Sequence, residues 1–422
     1  MALTSLYVSR NWMPRSYSLH WNLHRTPMQA TSNAAKEVMK PKEDIKVAED
    51  YRRQHQARHS QARQAFASAQ GKIMGSMLDH LGTFTEKPAE ALELLQHSLD
   101  EAGHPPEEDP LSQKILIALC QRIEAAASLA KLDLRGGVSA GTVMGGSLHA
   151  RQVPVLETDA SILLVTATLF GMCNRVAKLI ARTASISDVE QDGKNFVCVE
   201  YAPDDPQEAF DRDKDLLSDW RQTLLDFAVN LERPDLGRTY ALTGLEQVLW
   251  GQALASMELF VVGHEYGHHL ASHGVDIQDS NVIAFPEESY EMELEADRYG
   301  ALLAGVASMS DSFPNMYAIS CIGPLIVLTV LEYSYRGHSL LNTGKLPLVS
   351  TDPHPPLEER AEALRAAVPF FNGADASLPL LRVYDNTKKI LDRVWIDVEK
   401  ELLQQHRLRT RAPERGSDWL PR

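Results

Sequence analysis

Val262-Gly263-His264-Glu265-Tyr266-Gly267-His268 lies inside residues 243–273, a run that reads as helix. Residues at i and i+4 share one helix face, so the imidazoles of His264 and His268 point the same way. Two imidazoles held like that are half of a zinc site. Glu265 follows His264 by roughly a quarter-turn, where it reaches a water on the metal rather than the metal. This stretch therefore asks for a second helix close enough to complete the site.

A catalytic zinc takes three protein ligands and leaves a position for water. An extended motif with a third histidine on the same segment would need glycine and histidine where the chain has Ala271 and Gly274. The better source is Glu291-Met292-Glu293-Leu294-Glu295-Ala296-Asp297. Glu293 and Asp297 are i and i+4, so they share a face of a second helix. Glu293 serves as the third ligand. Asp297 accepts a hydrogen bond from the far nitrogen of a ligating histidine and so fixes its tautomer. Glu291 with Glu295 is the competing register. Taken alone, the acidic cluster is also what a solvated helix face looks like. Small residues recur every four positions on both helices: Gly263, Gly267 and Ala271 on the first, Ala296, Gly300 and Ala304 on the second. Such rows lower the helix ridges and let the axes approach.

Working outward, the 422 residues suffice for two or three domains. The composition is that of a globular protein, 44% hydrophobic and 23% charged. The net charge of −15 argues against nucleic acid or an anionic membrane surface as partner. Cys120, Cys173, Cys198 and Cys321 are scattered in apolar contexts, as suits buried thiols in a reducing compartment. No run reaches bilayer length. Ile319–Leu331 is only about 13 residues, and Asn174, Arg175 and Lys178 make 161–181 amphipathic. A soluble, cytoplasmic protein is expected.

The expected fold class is mainly α (α+β): a helical metal-binding domain with a small sheet, preceded by a helical N-terminal region. Residues 1–41 read as a disordered leader. Within it, 1–36 lack acids and carry Arg10, Arg15, Arg25 and Lys36, slightly like a transit peptide. Residues 42–135 form the helical N-terminal region, with an exposed helix or partly disordered arm over 42–70 and helices over 71–100 and 111–133. The metal domain spans 136–372, with its motifs in 250–370. A C-terminal helix and tail occupy 373–422. Glycine-rich 136–150 reads as a flexible connection, because it lacks the pattern of a phosphate loop. Residues 157–184 read as one long helix, 194–201 as a strand, and 204–215 as an acidic loop. Helices follow over 216–231, 243–273, 288–308, 314–336 and 386–405. His269 reads as a partly exposed neighbour of the site, and His273 as a helix-end residue favourable to the dipole.

Val262-Gly263-His264-Glu265-Tyr266-Gly267-His268, Glu293-Leu294-Glu295-Ala296-Asp297 and Asp352-Pro353-His354-Pro355-Pro356-Leu357-Glu358-Glu359-Arg360 together resemble a gluzincin metallopeptidase. Specifically, they resemble the CAAX prenyl proteases and bacterial heat-shock membrane proteases, over residues 250–370 only. The resemblance implies one Zn2+ per chain on His264, His268 and Glu293, with Glu265 as general base. It places His354 and Arg360 near the site, supporting the oxyanion or the ligand glutamate. The expected function is metal-assisted hydrolysis of peptide bonds in a protein or peptide substrate. Two alternatives stand beside it. One is a dedicated stress or phage-defence effector protease with a single protein target, a regulatory partner engaging the helical N-terminal region. The other is a non-catalytic zinc-stabilised helical scaffold.

Overall fold

The computed structural model describes residues 5–9, 43–58, 89–90, 93, 108–143, 148–191, 194–229, 242, 244–272, 286–309, 314–347 and 355–412. The described residues are mainly helical, with two small sheets. The fold is organised by helix α6 (Gly244–Leu270). It is apolar around much of its circumference: Leu249, Met257, Leu259, Phe260, Val261 and Val262 are all buried. A helix of that kind must be surrounded. It packs on α2 (Pro110–Leu129), α3 (Ala167–Thr183), α7 (Pro286–Met309), α8 (Met316–Ile319) and α9 (Ile322–Thr343). α5 (Leu216–Val229) and α11 (Ala374–Arg407) pack on α9, and α10 (Leu357–Asn372) packs on α7 and α11. One large core runs through all of them.

Against this helical body lies a sheet in the order β2 (Val138–Val143), β4 (Ser161–Thr166), β3 (Ala150–Pro154). β4 is parallel to β2 and antiparallel to β3. Every residue of β4 is buried because both of its faces are covered. Leu163 and Val165 join the main core. Ile162 and Leu164 face the other way, into a small core with Ala48 of α1 (Glu43–Arg58). The second sheet has the order β1 (Ser5–Ser9), β6 (Lys194–Glu200), β5 (Ser185–Gln191) and is antiparallel throughout. β1 comes from the stretch read as leader, and β6 is the strand expected at 194–201.

Five local readings are corrected. Residues 157–184 are not one helix: Thr158 lies in the β3–β4 turn, its hydroxyl donating to the Val155 carbonyl at 2.9 Å, and α3 starts only at Ala167. Ser161-Ile162-Leu163-Leu164-Val165-Thr166 has no polar face, which suits a strand covered on both sides better than a surface helix. Glycine-rich 136–150 contains β2 and the start of β3 rather than a flexible connection. Gly141 serves close approach: a Cβ there would lie 2.4 Å from Arg52 Nη1. The helix expected over 314–336 breaks at Cys321, which takes a left-handed φ of 56°. Pro324 cannot accept a helix running in from residue 320, but is tolerated in the first turn of α9. The acidic stretch 204–215 holds the short helix α4 (Pro206–Arg212), capped by the Asp205 carboxylate accepting from the Gln207 N–H at 2.9 Å.

The fifth concerns α1, which is a helix exposed on one side but buried on the other. Ala48, Arg52 and Gln56 form a buried stripe at i, i+4, i+8. Arg52 donates to Ser139 Oγ at 3.0 Å and pairs with Glu108, while Gln56 Nε2 donates to the Thr142 carbonyl at 2.8 Å. Two of its three residues are polar, so hydropathy periodicity does not reveal it. The helix expected over 71–100 lies almost wholly outside the described residues. The one expected over 111–133 is α2, with Asp109 as N-cap and Pro110 at its first position.

Candidate metal centre

α6 and α7 run antiparallel and unusually close. Gly263 faces Gly300, and Gly267 faces Ala296; a Cβ on Gly267 would sit 2.9 Å from Ala296 Cα, and one on Gly300 2.9 Å from the His264 nitrogen. The rows of small residues thus let side chains from the two helices meet. α6 carries His264, Glu265 and His268; α7 carries Glu293 and Asp297; the first turn of α10 carries Arg360.

His264 Nε2 lies 3.1 Å from His268 Nε2 and 3.5 Å from Glu293 Oε2, and His268 Nε2 lies 3.4 Å from Glu293 Oε1. Three ligands at zinc–nitrogen and zinc–oxygen distances of about 2.1 Å in tetrahedral array are separated by roughly 3.4 Å. The donor set and its spacing therefore fit one zinc ion. Glu293 is the carboxylate in this group, and neither Glu291 nor Glu295 joins it among the described residues. His264 turns its other nitrogen, Nδ1, to Asp297 Oδ1 at 3.0 Å. That bond aims Nε2 into the triangle, as the sequence pattern suggested for Asp297.

The electrostatics favour a cation here. Burial alone would lower the His264 imidazole, but Asp297 and Glu293 outweigh it and lift it to about 10. Asp297 is fully buried. Burial pushes its carboxyl up, yet Arg360 and His264 hold it below the usual value. Arg360 grips Asp297 with Nε to Oδ2 and Nη2 to Oδ1, both at 2.7 Å, and its Nη2 stands 3.6 Å from Glu293 Oε2. It thus braces the carboxylates of α7 from behind. His354 lies outside the described residues.

Glu265 follows His264 on α6 and is 7% exposed. Its Oε2 accepts the backbone N–H of Gln152 on β3 at 2.6 Å. Sequence reasoning missed Gln152, since nothing in the sequence links it to a residue 113 positions away. It also misplaced His269, which is fully buried rather than partly exposed. The imidazole points away from the triangle, into the sheet, where Ser161 Oγ lies 2.8 Å from Nδ1 and the Leu134 carbonyl 2.8 Å from Nε2. Burial lowers it to about 4. His273 lies outside the described residues.

No family model matches this chain, and no curated protein or solved structure matches it either.

Proposed function

We propose that this protein is a zinc-dependent metallopeptidase of gluzincin type, cutting peptide bonds in protein or peptide substrates. The observation that carries the proposal is the convergence of His264, His268 and Glu293 to within zinc-ligand spacing, with Glu265 next to His264 in the chain and outside the ligand set. These three residues would hold the metal. Zinc, when bound, supplies Lewis-acid polarisation of the scissile carbonyl and makes water a stronger acid.

The chain's own residues supply the proton handling. Glu265 takes a proton from the attacking water and hands it to the departing amine nitrogen. The Gln152 N–H keeps one oxygen of the carboxylate engaged, so the other is the one presented to water. Asp297 fixes the His264 tautomer, and Arg360 offsets the charge of Asp297 and Glu293. Arg360 is spent on this brace, so its part at an oxyanion is at most indirect.

Among the described residues no helix is long and apolar enough to cross a membrane. The four cysteines are free. With the acidic net charge, these observations support a cytoplasmic setting and a substrate that is neither nucleic acid nor membrane.

The test is Glu265→Gln. That variant should keep one zinc per chain by elemental analysis and lose proteolysis, read as new N-termini by mass spectrometry in cells expressing either form. Undiminished cleavage by Glu265→Gln would sink the mechanism. Zinc binding without any cleavage by the wild type would favour a scaffold instead.

A further inference from the structure

We infer that Ser161 and His269 are positioning residues: with the half-buried Gln152 side chain these two buried residues form a hydrogen-bonded chain that locks strand β3 where its Gln152 N–H holds Glu265. The inference rests on reading Glu265 as the proton acceptor, and it adds residues that the metal motif does not contain.

The direction of every bond in the chain is fixed by its neighbours. The Leu134 carbonyl can only accept, so His269 Nε2 carries the proton and donates across 2.8 Å. The Arg135 guanidinium can only donate, and its Nη2 lies 3.3 Å from His269 Nδ1, so Nδ1 is the acceptor. Ser161 Oγ–H therefore donates to Nδ1 at 2.8 Å. The same hydroxyl oxygen accepts the Gln152 side-chain N–H at 2.6 Å. Arg135 also donates to the His269 carbonyl and, through Nη1, to Ser272 Oγ at 2.8 Å, tying the chain to the end of α6.

The geometry gives this chain a purpose beyond satisfying buried polar groups. Gln152 uses its two N–H groups in two directions: the side chain toward Ser161, the backbone toward Glu265. β3 is an edge of its sheet, paired only with β4 among the described residues. An edge strand with one ladder slides and twists more readily than a central one. The chain adds a second attachment to α6 at His269, one residue beyond the zinc-binding candidate His268. Strand and general base are then referenced to the same helix. Cutting the chain leaves Glu265 in place on α6 but frees the strand that orients its carboxylate.

The experiment compares wild type with Gln152→Ala, Ser161→Ala, His269→Leu and His269→Asn. Gln152→Ala removes only the side-chain donor and keeps the backbone N–H. Asparagine at 269 restores an acceptor where Nδ1 stood. Each protein is measured for zinc content, for amide exchange of residues 150–153, and for kcat and KM on a mixture of internally quenched peptides. In Gln152→Ala, Ser161→Ala and His269→Leu, exchange at 150–153 should speed up about tenfold, the worth of one hydrogen bond. Zinc should stay at one per chain, and kcat should fall with KM unchanged. His269→Asn should recover both exchange and kcat. Unchanged exchange in Gln152→Ala and Ser161→Ala overturns the inference, as does faster exchange with kcat intact or loss of kcat only together with zinc. If wild type cleaves no peptide but exchange responds as stated, the peptidase reading fails and the positioning chain stands.

Discussion

Asp297 and Arg360 are joined by two parallel hydrogen bonds of 2.7 Å, although one lies on α7 and the other 63 residues away on α10. Asp297 has no solvent exposure and Arg360 very little. The pair is therefore a buried, two-pronged contact in which either partner alone is an uncompensated charge. Because Asp297 also fixes His264, the contact couples the packing of α10 to the aim of a metal-binding candidate.

Removing the arginine exposes that coupling. Arg360→Ala should cost about 3 kcal/mol of stability in a denaturant titration, as for other broken buried pairs. Arg360→Lys should recover only part, since an ammonium cannot reproduce the two-pronged geometry. Asp297→Asn should weaken zinc about 10–100-fold in a competition titration with a chromophoric chelator, by releasing the His264 ring. Equal zinc affinity in Asp297→Asn and wild type would remove Asp297 from the site.

The approach of α6 and α7 gives a second prediction. Gly300→Ala pushes a methyl group against the His264 backbone, 2.9 Å from its nitrogen. The helices must part, at a cost of about 1–3 kcal/mol. Glu293 moves away from both imidazoles, so zinc affinity should fall together with stability. Gly305→Ala on the same helix has open space for its Cβ and should do neither. Calorimetry and zinc titration of the two variants decide the point.

The meeting of His264, His268 and Glu293 was legible in the sequence because the spacing that metal chemistry would require also fixes helix faces. Ligands at i and i+4 announce a helix face, and Glu293 with Asp297 repeats that spacing on a second helix. The rows of Gly263, Gly267 and Gly300 announced the close approach that joins them. The sheet was not legible to the same degree. β4 has no alternation to read because it is buried on both faces, and β2 is masked by glycines placed for α1 to pack against. The links among Gln152, Ser161, His269 and Glu265 were invisible for a different reason: hydrogen bonds spanning 108 and 113 residues leave no local pattern.

Glu258 supplies a pH dependence that is separate from the metal. It lies on α6 within the core, and burial pushes its carboxyl from 4.5 up to about 8, with Arg122 pulling partly back. Between those values the folded state keeps a proton that the unfolded chain has released. Stability from this group is full below 4.5 and is lost as pH rises through 8, at no more than about 1.4 kcal/mol per pH unit. Glu258→Gln should flatten that decline and be more stable than wild type at pH 9. Denaturant midpoints measured from pH 5 to 9 for both proteins test it. Parallel curves would mean that Glu258 ionises in the folded protein as it does in the unfolded one.

Metal supply should be written into the melting temperature. A ligand that binds only the folded chain stabilises it by an amount set by its concentration over its dissociation constant, about 2.7 kcal/mol at a hundredfold excess. Zinc added to chelator-treated protein should therefore raise the melting temperature progressively, and chelator should reverse the rise. Glu265→Gln should respond like wild type, since Glu265 lies outside the group formed by His264, His268 and Glu293. His268→Ala should not respond, because it removes one corner of the triangle. A zinc-dependent rise of equal size in His268→Ala would place the ion elsewhere on the protein, and with it the chemistry argued for these helices.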